Sequence, residues 1–174
     1  MKRCLILLLA LLALAAQAAW VDPTGKPVPE TESMRSAGDF GVQILLTANE
    51  DQLRRAWASP RTPPTLATTN TVRRGATVAA MLIFGGCVPN GAGVCDVVSD
   101  YLVEGPTGQR MPANGGPVWS GKPMPPRQLQ LGLSSLVFGF DKTDPLGEYR
   151  ITATVRDRVS GKAVSVTARL NLTK

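Results

Sequence analysis

The stretch YRITATVRDRVSGKAVSVTARLNL, residues 149–172, decides the fold of this chain. Apolar and polar residues alternate along both of its halves, a pattern that puts one set of side chains on each face of a strand. Between the halves, Arg158–Gly161 supplies turn residues, and Gly161 can adopt the positive φ that a tight turn requires. The stretch therefore predicts a β-hairpin with one buried face. The expected buried residues are Tyr149, Ile151, Ala153, Val155, Val164, Val166, Ala168, Leu170 and Leu172.

Four stretches upstream of this hairpin also have strand character. Phe40–Thr47 and Asp96–Glu104 are short, apolar-rich and bounded by turn residues, which is typical of strands. Ala76–Phe84 is apolar at odd and even positions alike, which indicates a central strand covered on both faces. In Gln128–Phe140 the apolar positions change from odd to even numbers near Ser134, which predicts a β-bulge or a break there.

One short helix is predicted near residues 50–58. Asn49 offers an N-cap, and Gln52 follows three residues later in the capping-box arrangement. The apolar residues of this helix share one face and are expected to cover the central strand, whereas Arg54 and Arg55 are expected to point away. These apolar residues are Leu53, Ala56 and Trp57.

These signals together predict an all-β chain with a single helix. Turn residues separate the predicted strands, and the Pro/Gly-rich stretch 111–127 is expected to be a long loop. The expected architecture is an antiparallel β-sandwich of about seven strands in one domain of residues 39–174.

The segment from Asp144 to Tyr149, followed by an alternating strand, resembles the start of the penultimate strand of immunoglobulin-like domains. In that family a Gly-x-Tyr forms the tyrosine corner, so the resemblance implies an immunoglobulin-like β-sandwich in which the Tyr149 hydroxyl bonds the backbone upstream. Ile151 stands where antibody domains carry a core cysteine, so their inter-sheet disulfide is not expected. The whole chain also resembles a group of exported bacterial proteins with this Gly-Cys loop and C-terminal hairpin, a resemblance that implies no particular activity.

The N-terminal residues predict export. Lys2 and Arg3 precede the apolar run 5–16, and Ala16-Gln17-Ala18 supplies a small-x-small cleavage signal, so residues 1–18 are expected to be a secretory signal peptide. The run is too short for a transmembrane helix. Residues 19–38 are rich in proline and are predicted to be a flexible leader. The predicted location is the periplasm, with secretion as a further possibility.

The composition weakens the case for an enzyme. The chain has no histidine and a net charge of +6. Absence of imidazole removes the commonest general base near neutral pH, the Ser-His and Cys-His nucleophile pairs and the usual zinc and copper ligand sets. The sequence therefore predicts a protein without catalysis, metal or cofactor. The mild excess of positive charge favours anionic surfaces without naming one.

Cys87 and Cys95 flank the Gly-rich stretch GGCVPNGAGVCD, residues 85–96. A thioredoxin-like redox pair has two intervening residues and a following helix, whereas here seven residues intervene and a strand follows. A phosphate-binding loop would lead into a helix N-terminus, and a metal site would need further soft ligands. The favoured interpretation is a structural disulfide across the mouth of a hairpin in an oxidising compartment.

Three groups of residues are candidates for binding. The stapled loop would present Pro89 and Asn90 at a rigid tip, although the loop could instead be held only against fraying. Trp119, in the predicted long loop, could contribute an apolar patch or fold back as a lid on the sandwich. A basic cluster around the final hairpin could meet an envelope component or an acidic protein, or could be a solvated sheet face. Its members are Arg150, Arg156, Arg158, Lys162 and Arg169.

The predicted function is that of a non-catalytic binding or accessory module that recognises a protein or envelope component, with no nucleic-acid partner. One alternative is an inhibitor that inserts the stapled loop into an envelope enzyme. Another is a hydrolase of cell-wall sugars that uses two carboxylates. The spacing of the acids selects no pair among Asp96, Asp100, Glu104, Asp141 and Asp144.

Overall fold

Nine strands and one helix form two sheets in the computed structural model, which describes residues 20–22, 24–59 and 65–174. The predicted signal peptide, residues 1–18, lies outside the described residues. One sheet has the order β1-β2-β4-β7 and the other the order β3-β9-β8-β5-β6. The elements are β1 Met34–Ala37, β2 Phe40–Thr47, α1 Glu50–Trp57, β3 Thr71–Arg73, β4 Thr77–Gly85, β5 Cys95–Glu104, β6 Arg110–Gly121, β7 Gln130–Gly139, β8 Gly147–Asp157 and β9 Ala163–Thr173.

The C-terminal hairpin forms as the alternation predicts. β8 and β9 pair antiparallel from Gly147↔Leu172 to Arg156↔Ala163, and Gly161 in the turn has φ 72°. All nine side chains expected to point inward are buried. They pack against inward residues of the other sheet such as Phe40, Leu82 and Phe84. The two sheets therefore share one apolar core, which confirms an all-β sandwich.

A second, smaller core lies on the outer face of the four-stranded sheet. β4 is buried on both faces, and α1 covers its outer side through Leu53 and the half-buried Trp57. Asn49 caps the helix by accepting a hydrogen bond from the Gln52 backbone N–H at 2.9 Å. These three features confirm the predicted central strand and its helical cover. The other members of this core are Ala79, Met81, Ile83 and Leu131.

Arg54 does not point away as predicted. It pairs with Glu50 at 2.6 Å and donates to the carbonyl oxygens of Gly132 and Leu133, each at 3.0 Å. Its acceptors lie at the predicted β-bulge: Met81 pairs with Ser135 and Ile83 with Leu131, so three residues of β7 stand opposite one residue of β4. Because a bulge takes carbonyls out of the ladder, a helix side chain can satisfy them.

The expected loop over residues 111–127 is mostly a strand. β6 Arg110–Gly121 pairs with β5 along its whole length, with register shifts beside Val97/Val98 and Ser99/Asp100. The proline and glycine content predicts a loop, but β6 is an edge strand. Proline lacks a backbone N–H, and an edge strand tolerates it because one side of the strand has no neighbour that needs a hydrogen bond. Glycine accommodates the bulges. Trp119 consequently lies in a strand, and only residues 122–129 form a loop.

Three other details differ from the prediction. The strands number nine rather than about seven, because β1, β3 and β6 carry weak signals. β3 pairs with β9 in parallel, whereas the other described pairs are antiparallel. Part of the predicted flexible leader is packed: Trp20 is buried, its Nε1 donates to the Arg35 carbonyl at 3.1 Å, and β1 pairs with β2. The local sequence does not indicate the burial of Trp20, because that burial depends on contacts distant in sequence.

Candidate functional site

The Cys87–Cys95 disulfide joins the two sheets. Cys87 follows β4 of the four-stranded sheet, Cys95 begins β5 of the five-stranded sheet, and their Cα atoms are 6.0 Å apart. The predicted disulfide between Cys87 and Cys95 is confirmed. The predicted hairpin between the two cysteines is wrong, because β4 and β5 lie in different sheets. Both cysteines are buried, so the staple closes a sheet-to-sheet crossover beneath an exposed loop.

The loop above the staple is exposed from Val88 to Gly93. Asn90 organises it: its Oδ1 accepts from the backbone N–H groups of Ala92 at 2.9 Å and Val94 at 3.1 Å. Its backbone N–H also donates to the Val94 carbonyl at 2.9 Å. The Asn90 side chain therefore shapes the tip, and the surface that the tip offers is mostly backbone, Pro89 and Val88.

Asp157 anchors this loop from below, and its role was missed in the sequence. It is fully buried, and its Oδ2 accepts from the Val88 N–H at 2.9 Å and from the Ser160 hydroxyl at 2.6 Å. Its Oδ1 accepts from the Val159 N–H at 3.1 Å. Asp157 follows Tyr149, Ile151, Ala153 and Val155 in the inward-facing series of β8. A buried acid needs hydrogen-bond donors, so its position in this series could have predicted an anchor.

Two further segments meet the loop at the same end of the sandwich. Gly86 has φ 74°, and a Cβ there would lie 1.9 Å from the Asp39 carbonyl oxygen, so the β1–β2 turn packs directly on the loop's first residues. Trp119 packs on Phe84 with ring centroids 6.4 Å apart, and its Nε1 donates to the Lys122 carbonyl at 3.1 Å. Trp119 is half-buried against the core, which is the lid arrangement rather than an open patch.

We call this region the stapled end. It comprises the β1–β2 turn (38–39), the loop 86–94, the β6–β7 loop (122–129) and the β8–β9 turn (158–162). Four of the nine exposed large hydrophobic residues among the described positions lie here, each 37–39% exposed. They are Val88, Met124, Leu129 and Val159. Lys122, Arg127, Arg158 and Lys162 lie on the same loops, and Asp39 is the one acid on them, so the loops of this end combine exposed apolar residues with an excess of cationic ones.

The predicted basic cluster on the final hairpin is largely paired with acids. Arg156 pairs with Asp100, Arg158 with Asp96 at 3.6 Å, and Arg169 with Glu32 at 2.9 Å and Glu148 at 2.8 Å. Arg150 lies opposite Glu104 in the ladder. Asp96 and Asp100 come from β5 and Glu32 from the N-terminal segment, so the hairpin's own sequence did not reveal these three acids, whereas Glu148 lies on β8 itself. Lys162 lies apart, with its Nζ 3.3 Å from where a Cβ on Gly38 would stand.

The carboxylates considered for hydrolysis are placed in separate roles. Asp96, Asp100 and Glu104 form ion pairs along β5, and Asp144 accepts from the Asp141 N–H at 2.6 Å within a turn. A groove of about 440 Å³ beside β2 and β9 contains a single acid, Glu32. A smaller dent of about 80 Å³ beside α1 contains only Glu50. Neither depression brings two carboxylates together.

The described part of the chain contains neither a metal-binding cluster nor a membrane-spanning helix. No group of three or more Cys, Asp or Glu side chains there could hold a metal ion. None of the helices in residues 20–22, 24–59 and 65–174 is long and apolar enough to cross a membrane.

Comparison with known proteins identifies no family: no family model and no curated protein matches the chain. Among solved structures, an alkylpurine DNA glycosylase from Pseudomonas fluorescens, bound to DNA with an abasic-site analogue, is 13% identical with a TM-score of 0.43, over 76% of this chain and 30% of that chain. A Niemann-Pick type C2 protein from the Japanese carpenter ant is 11% identical with a TM-score of 0.40, over 75% and 89%.

A family 123 glycoside hydrolase from Clostridium perfringens is 10% identical with a TM-score of 0.39, over 76% of this chain and 27% of that chain. The chain thus spans less than a third of the glycosylase and of the hydrolase that it matches. At these TM-scores the likenesses carry no argument about fold or function.

Proposed function

We propose that this protein is a non-catalytic binding module of the periplasm that recognises another protein or an envelope component through the stapled end. The observation that carries the proposal is the exposed loop Val88–Gly93, held at its base by the Cys87–Cys95 disulfide and by buried Asp157. A disulfide that ties two sheets together accords with folding in an oxidising compartment. The signal-like N-terminus supports the same location.

The construction of the loop supports a binding role. A side chain that becomes ordered only on binding loses conformational entropy, which reduces the binding free energy by about 0.5–1.5 kcal/mol. A loop that is already ordered avoids this loss and therefore binds more tightly through the same contacts. Here three separate devices fix the loop: the disulfide, the Asn90 hydrogen bonds and the Asp157 anchor. The loop is therefore preformed, which supports its use as a contact surface.

The chemistry of the stapled end favours an acidic partner surface with an apolar centre. Val88 and Val159 lie on either side of the Asp157 anchor, and exposed apolar side chains with polar and charged residues near them are typical of protein-contact surfaces; we call the four cationic residues of these loops the rim. The rim would speed association with an anionic surface and make it sensitive to salt. We therefore expect an acidic protein segment rather than a small molecule.

Inhibition of an envelope enzyme is a second candidate function that uses the same end. It is favoured by one feature, the rigid loop tip of six consecutive exposed residues. Such a tip could enter a cleft with little loss of conformational entropy. The hydrolase alternative has no comparable support, since neither depression holds a pair of carboxylates.

We infer further that the sandwich is immunoglobulin-like. The support is the hydrogen bond from the Tyr149 hydroxyl to the Pro145 carbonyl at 3.0 Å, four residues upstream, which is the bond expected of a tyrosine corner. Immunoglobulin-like domains place binding loops at the ends of the sandwich, which accords with a functional stapled end.

The experiment that tests the proposal uses site-specific photo-crosslinking in the periplasm. A photoreactive residue replaces Ala92 at the loop tip or, as the matched control, Thr143 in the loops of the opposite end; both positions are exposed. We expect a discrete adduct from position 92 and none from position 143. Adducts from position 143 alone, or from neither position, would overturn the proposal.

A second step separates the two candidate functions. The captured partner is purified and titrated with the mature protein and with its Val88→Asp and Val159→Asp variants. We expect both variants to weaken binding at least tenfold, about 1.4 kcal/mol, because a carboxylate would face the acidic surface. Loss of the partner's enzymatic activity on binding would favour the inhibitor; unchanged activity would favour the accessory module.

A further inference from the structure

The groove of about 440 Å³ on the side of the sandwich lies between β2 and β9, which belong to different sheets. β1 covers β2 only along residues 40–43, and β3 covers β9 only along residues 171–173. Residues 44–46 of β2 and 167–169 of β9 therefore lack a neighbouring strand, and both stretches line the groove. The site is separate from the stapled end, which these residues do not include.

A short segment of the chain, residues 32–33, crosses one end of the groove and bonds both of its walls. The Glu32 carbonyl accepts from the Thr167 N–H of β9 at 2.6 Å, and the Ser33 carbonyl accepts from the Ile44 N–H of β2 at 2.9 Å. Successive residues of an extended chain direct their backbone groups to opposite sides. This crossing segment therefore behaves as a strand inserted between the two sheets.

A second crossing segment, residues 69–70, closes the other end in the same way. The Thr69 N–H donates to the Leu46 carbonyl of β2 at 2.9 Å, and the Asn70 carbonyl accepts from the Asn171 N–H of β9 at 2.8 Å. β2 and β9 both run from the first crossing segment to the second, so the two walls are parallel. The protein thus shows twice how an extended backbone fits between these walls.

Between the crossing segments the walls keep unpaired backbone groups. Alternate residues of a strand face the same edge, so Ile44 and Leu46 direct their backbone groups into the groove, as do Thr167 and Arg169. The Ile44 carbonyl and the Leu46 N–H form no hydrogen bond with the described residues, and the same is true of the Thr167 carbonyl and the Arg169 N–H. Each wall therefore offers one acceptor and one donor that remain to be satisfied.

The polar side chains of the lining, in contrast, already have partners within the protein. The Glu32 carboxylate is paired with the Arg169 guanidinium at 2.9 Å. The hydroxyl hydrogen bonds join Thr31 to Ser33 at 3.2 Å, Thr167 to Thr152 at 2.9 Å, and Thr69 to the Thr71 carbonyl at 2.7 Å. The groups that await a partner are thus backbone groups, which favours a peptide over a sugar or a charged small molecule.

We propose that this groove binds two or three residues of an extended peptide that runs parallel to β2 and β9. One residue donates to the Ile44 carbonyl and accepts from the Leu46 N–H, and the next residue bonds Thr167 and Arg169 in the same way. This is strand addition, applied to two sheet edges at once. The bonded positions 44 and 46 on β2, and 167 and 171 on β9, leave room for no longer segment.

The shape of the groove sets the chemistry of the ligand. The crossing segments block both ends, so a long strand cannot pass through, and the ligand is a short peptide or the free end of a chain. Ile44, Leu46 and Ala168 are buried beneath the groove, so an inward side chain of the ligand should be small and apolar. A volume of about 440 Å³ is within the usual range for ligand sites.

Titration of the ¹⁵N-labelled mature protein with the tripeptide Ala-Val-Ala, followed by NMR, tests this proposal. We expect the amide signals of Leu46 and Arg169 to move downfield as they gain acceptors, with a dissociation constant on the order of 1 mM for a few backbone hydrogen bonds. The control peptide carries N-methyl groups on its second and third residues and should bind at least tenfold more weakly. Unmoved Leu46 and Arg169 signals, or equal affinities of the two peptides, would overturn the proposal.

A matched pair of variants tests the Arg169 N–H from the protein side. Arg169→Ala and Arg169→Pro both remove the guanidinium, but only proline removes the N–H. This N–H faces an edge without a partner, where proline is tolerated. We expect Arg169→Pro to bind Ala-Val-Ala at least threefold more weakly than Arg169→Ala, and equal affinities would contradict the proposal. The N-methylated peptide makes the same test without changing the protein, should the spectrum of Arg169→Pro show an altered fold.

Blocking the ends of the probe identifies the source of the peptide. An affinity preserved after N-terminal acetylation indicates the C-terminal end of a longer chain, and one preserved after C-terminal amidation indicates an N-terminal end. Loss of affinity in both cases indicates a free short peptide. Each of these results supports the groove as a peptide site.

Discussion

The two ends of the sandwich are closed by different means. At the stapled end a disulfide joins the sheets, and buried Asp157 accepts three hydrogen bonds from the surrounding loops. At the opposite end, which we call the corner end, the Tyr149 hydroxyl bonds the Pro145 carbonyl at 3.0 Å and Arg74 Nε donates to the Asp144 carbonyl at 3.0 Å. The stapled end is closed by a covalent bond and a buried carboxylate, whereas the corner end is held by side-chain donors to backbone carbonyls and by the Asp144 carboxylate within its own turn.

The ends also differ in the surface that they offer. Four exposed large hydrophobic residues lie on the loops of the stapled end, whereas Leu146 is the one such residue on the described loops 140–146 and 105–109 of the corner end. A loop whose apolar side chains stay exposed gains little stability from burial, so its conformation depends on hydrogen bonds and covalent links within the loop and at its base. Under the proposed function, the cross-linking of the stapled end keeps the recognition loop in shape, and the corner end has a structural role.

The largest expected effect is that of Asp157→Ala. This change leaves the Val88 and Val159 N–H groups and the Ser160 hydroxyl without their acceptor in a buried site, so we expect the free energy of unfolding to fall by about 3 kcal/mol. Urea denaturation measures the change. The control is Asp96→Ala, which removes an exposed ion pair from the adjacent strand and should cost less than about 1 kcal/mol. Equal effects of the two variants would refute the anchor.

Removing the staple should cost slightly less. The loop that Cys87 and Cys95 close has a sequence separation of 8, and the chain-entropy model gives such a loop about 2–3 kcal/mol. Cys87→Ser/Cys95→Ser should therefore unfold at a lower urea concentration yet keep its β-sheet circular dichroism. The variant should also lose the crosslink from position 92, because the tip becomes mobile. A variant that kept both full stability and the crosslink would assign the loop's shape to Asn90 and Asp157.

Alkaline pH should weaken the centre and the corner end. Burial raises the pKa of Tyr101 to about 12 and, with the nearby Asp144 carboxylate as a second cause, raises that of Tyr149 above its ordinary 10.0. A pKa raised by folding means that stability is complete below pH 10 and is lost as pH rises through the folded-state values. For Tyr101 the total loss is on the order of 2–3 kcal/mol by pH 12.

Tyr101→Phe is the matched variant for that pH dependence. The Tyr101 and Ser99 hydroxyls are buried without a hydrogen-bond partner in the described structure, so removing the phenol should leave stability at pH 7 equal or higher. Urea denaturation at several pH values should then give a much smaller decline above pH 10. An unchanged decline would mean that Tyr101 does not cause it.

Tyr149→Phe should have a smaller effect, confined to the corner end. The substitution keeps the ring, which packs edge-on against Phe140 with centroids 4.9 Å apart, and removes one hydrogen bond. We expect a loss of about 1 kcal/mol and normal crosslinking from position 92. Loss of crosslinking would show that the two ends are coupled, contrary to the division of roles argued above.

Local signals predicted much of this fold, and distant contacts account for the rest. Alternation predicted β8 and β9, apolarity at both parities predicted β4, and residue spacing predicted the helix and the disulfide. β6 was missed because proline and glycine are read locally as loop residues, whereas an edge position tolerates them. Asp100, which pairs with Arg156, and Glu32, which pairs with Arg169, could not be found, since strand order decides which distant residues become neighbours. The burial of Asp157 could have been predicted, because the residue occupies an inward-facing position in the alternating sequence of β8.

The smallest expected change in stability is that of Arg158→Ala, at the rim of the stapled end. Its guanidinium lies 3.6 Å from the Asp96 carboxylate, and both side chains are exposed, so the ion pair contributes less than about 0.5 kcal/mol to folding. If an acidic partner binds there, the same variant should weaken binding and reduce its dependence on salt. Titration of the captured partner at low and high salt measures both quantities. An affinity unchanged at either salt concentration would move recognition from the rim to the apolar residues Val88 and Val159.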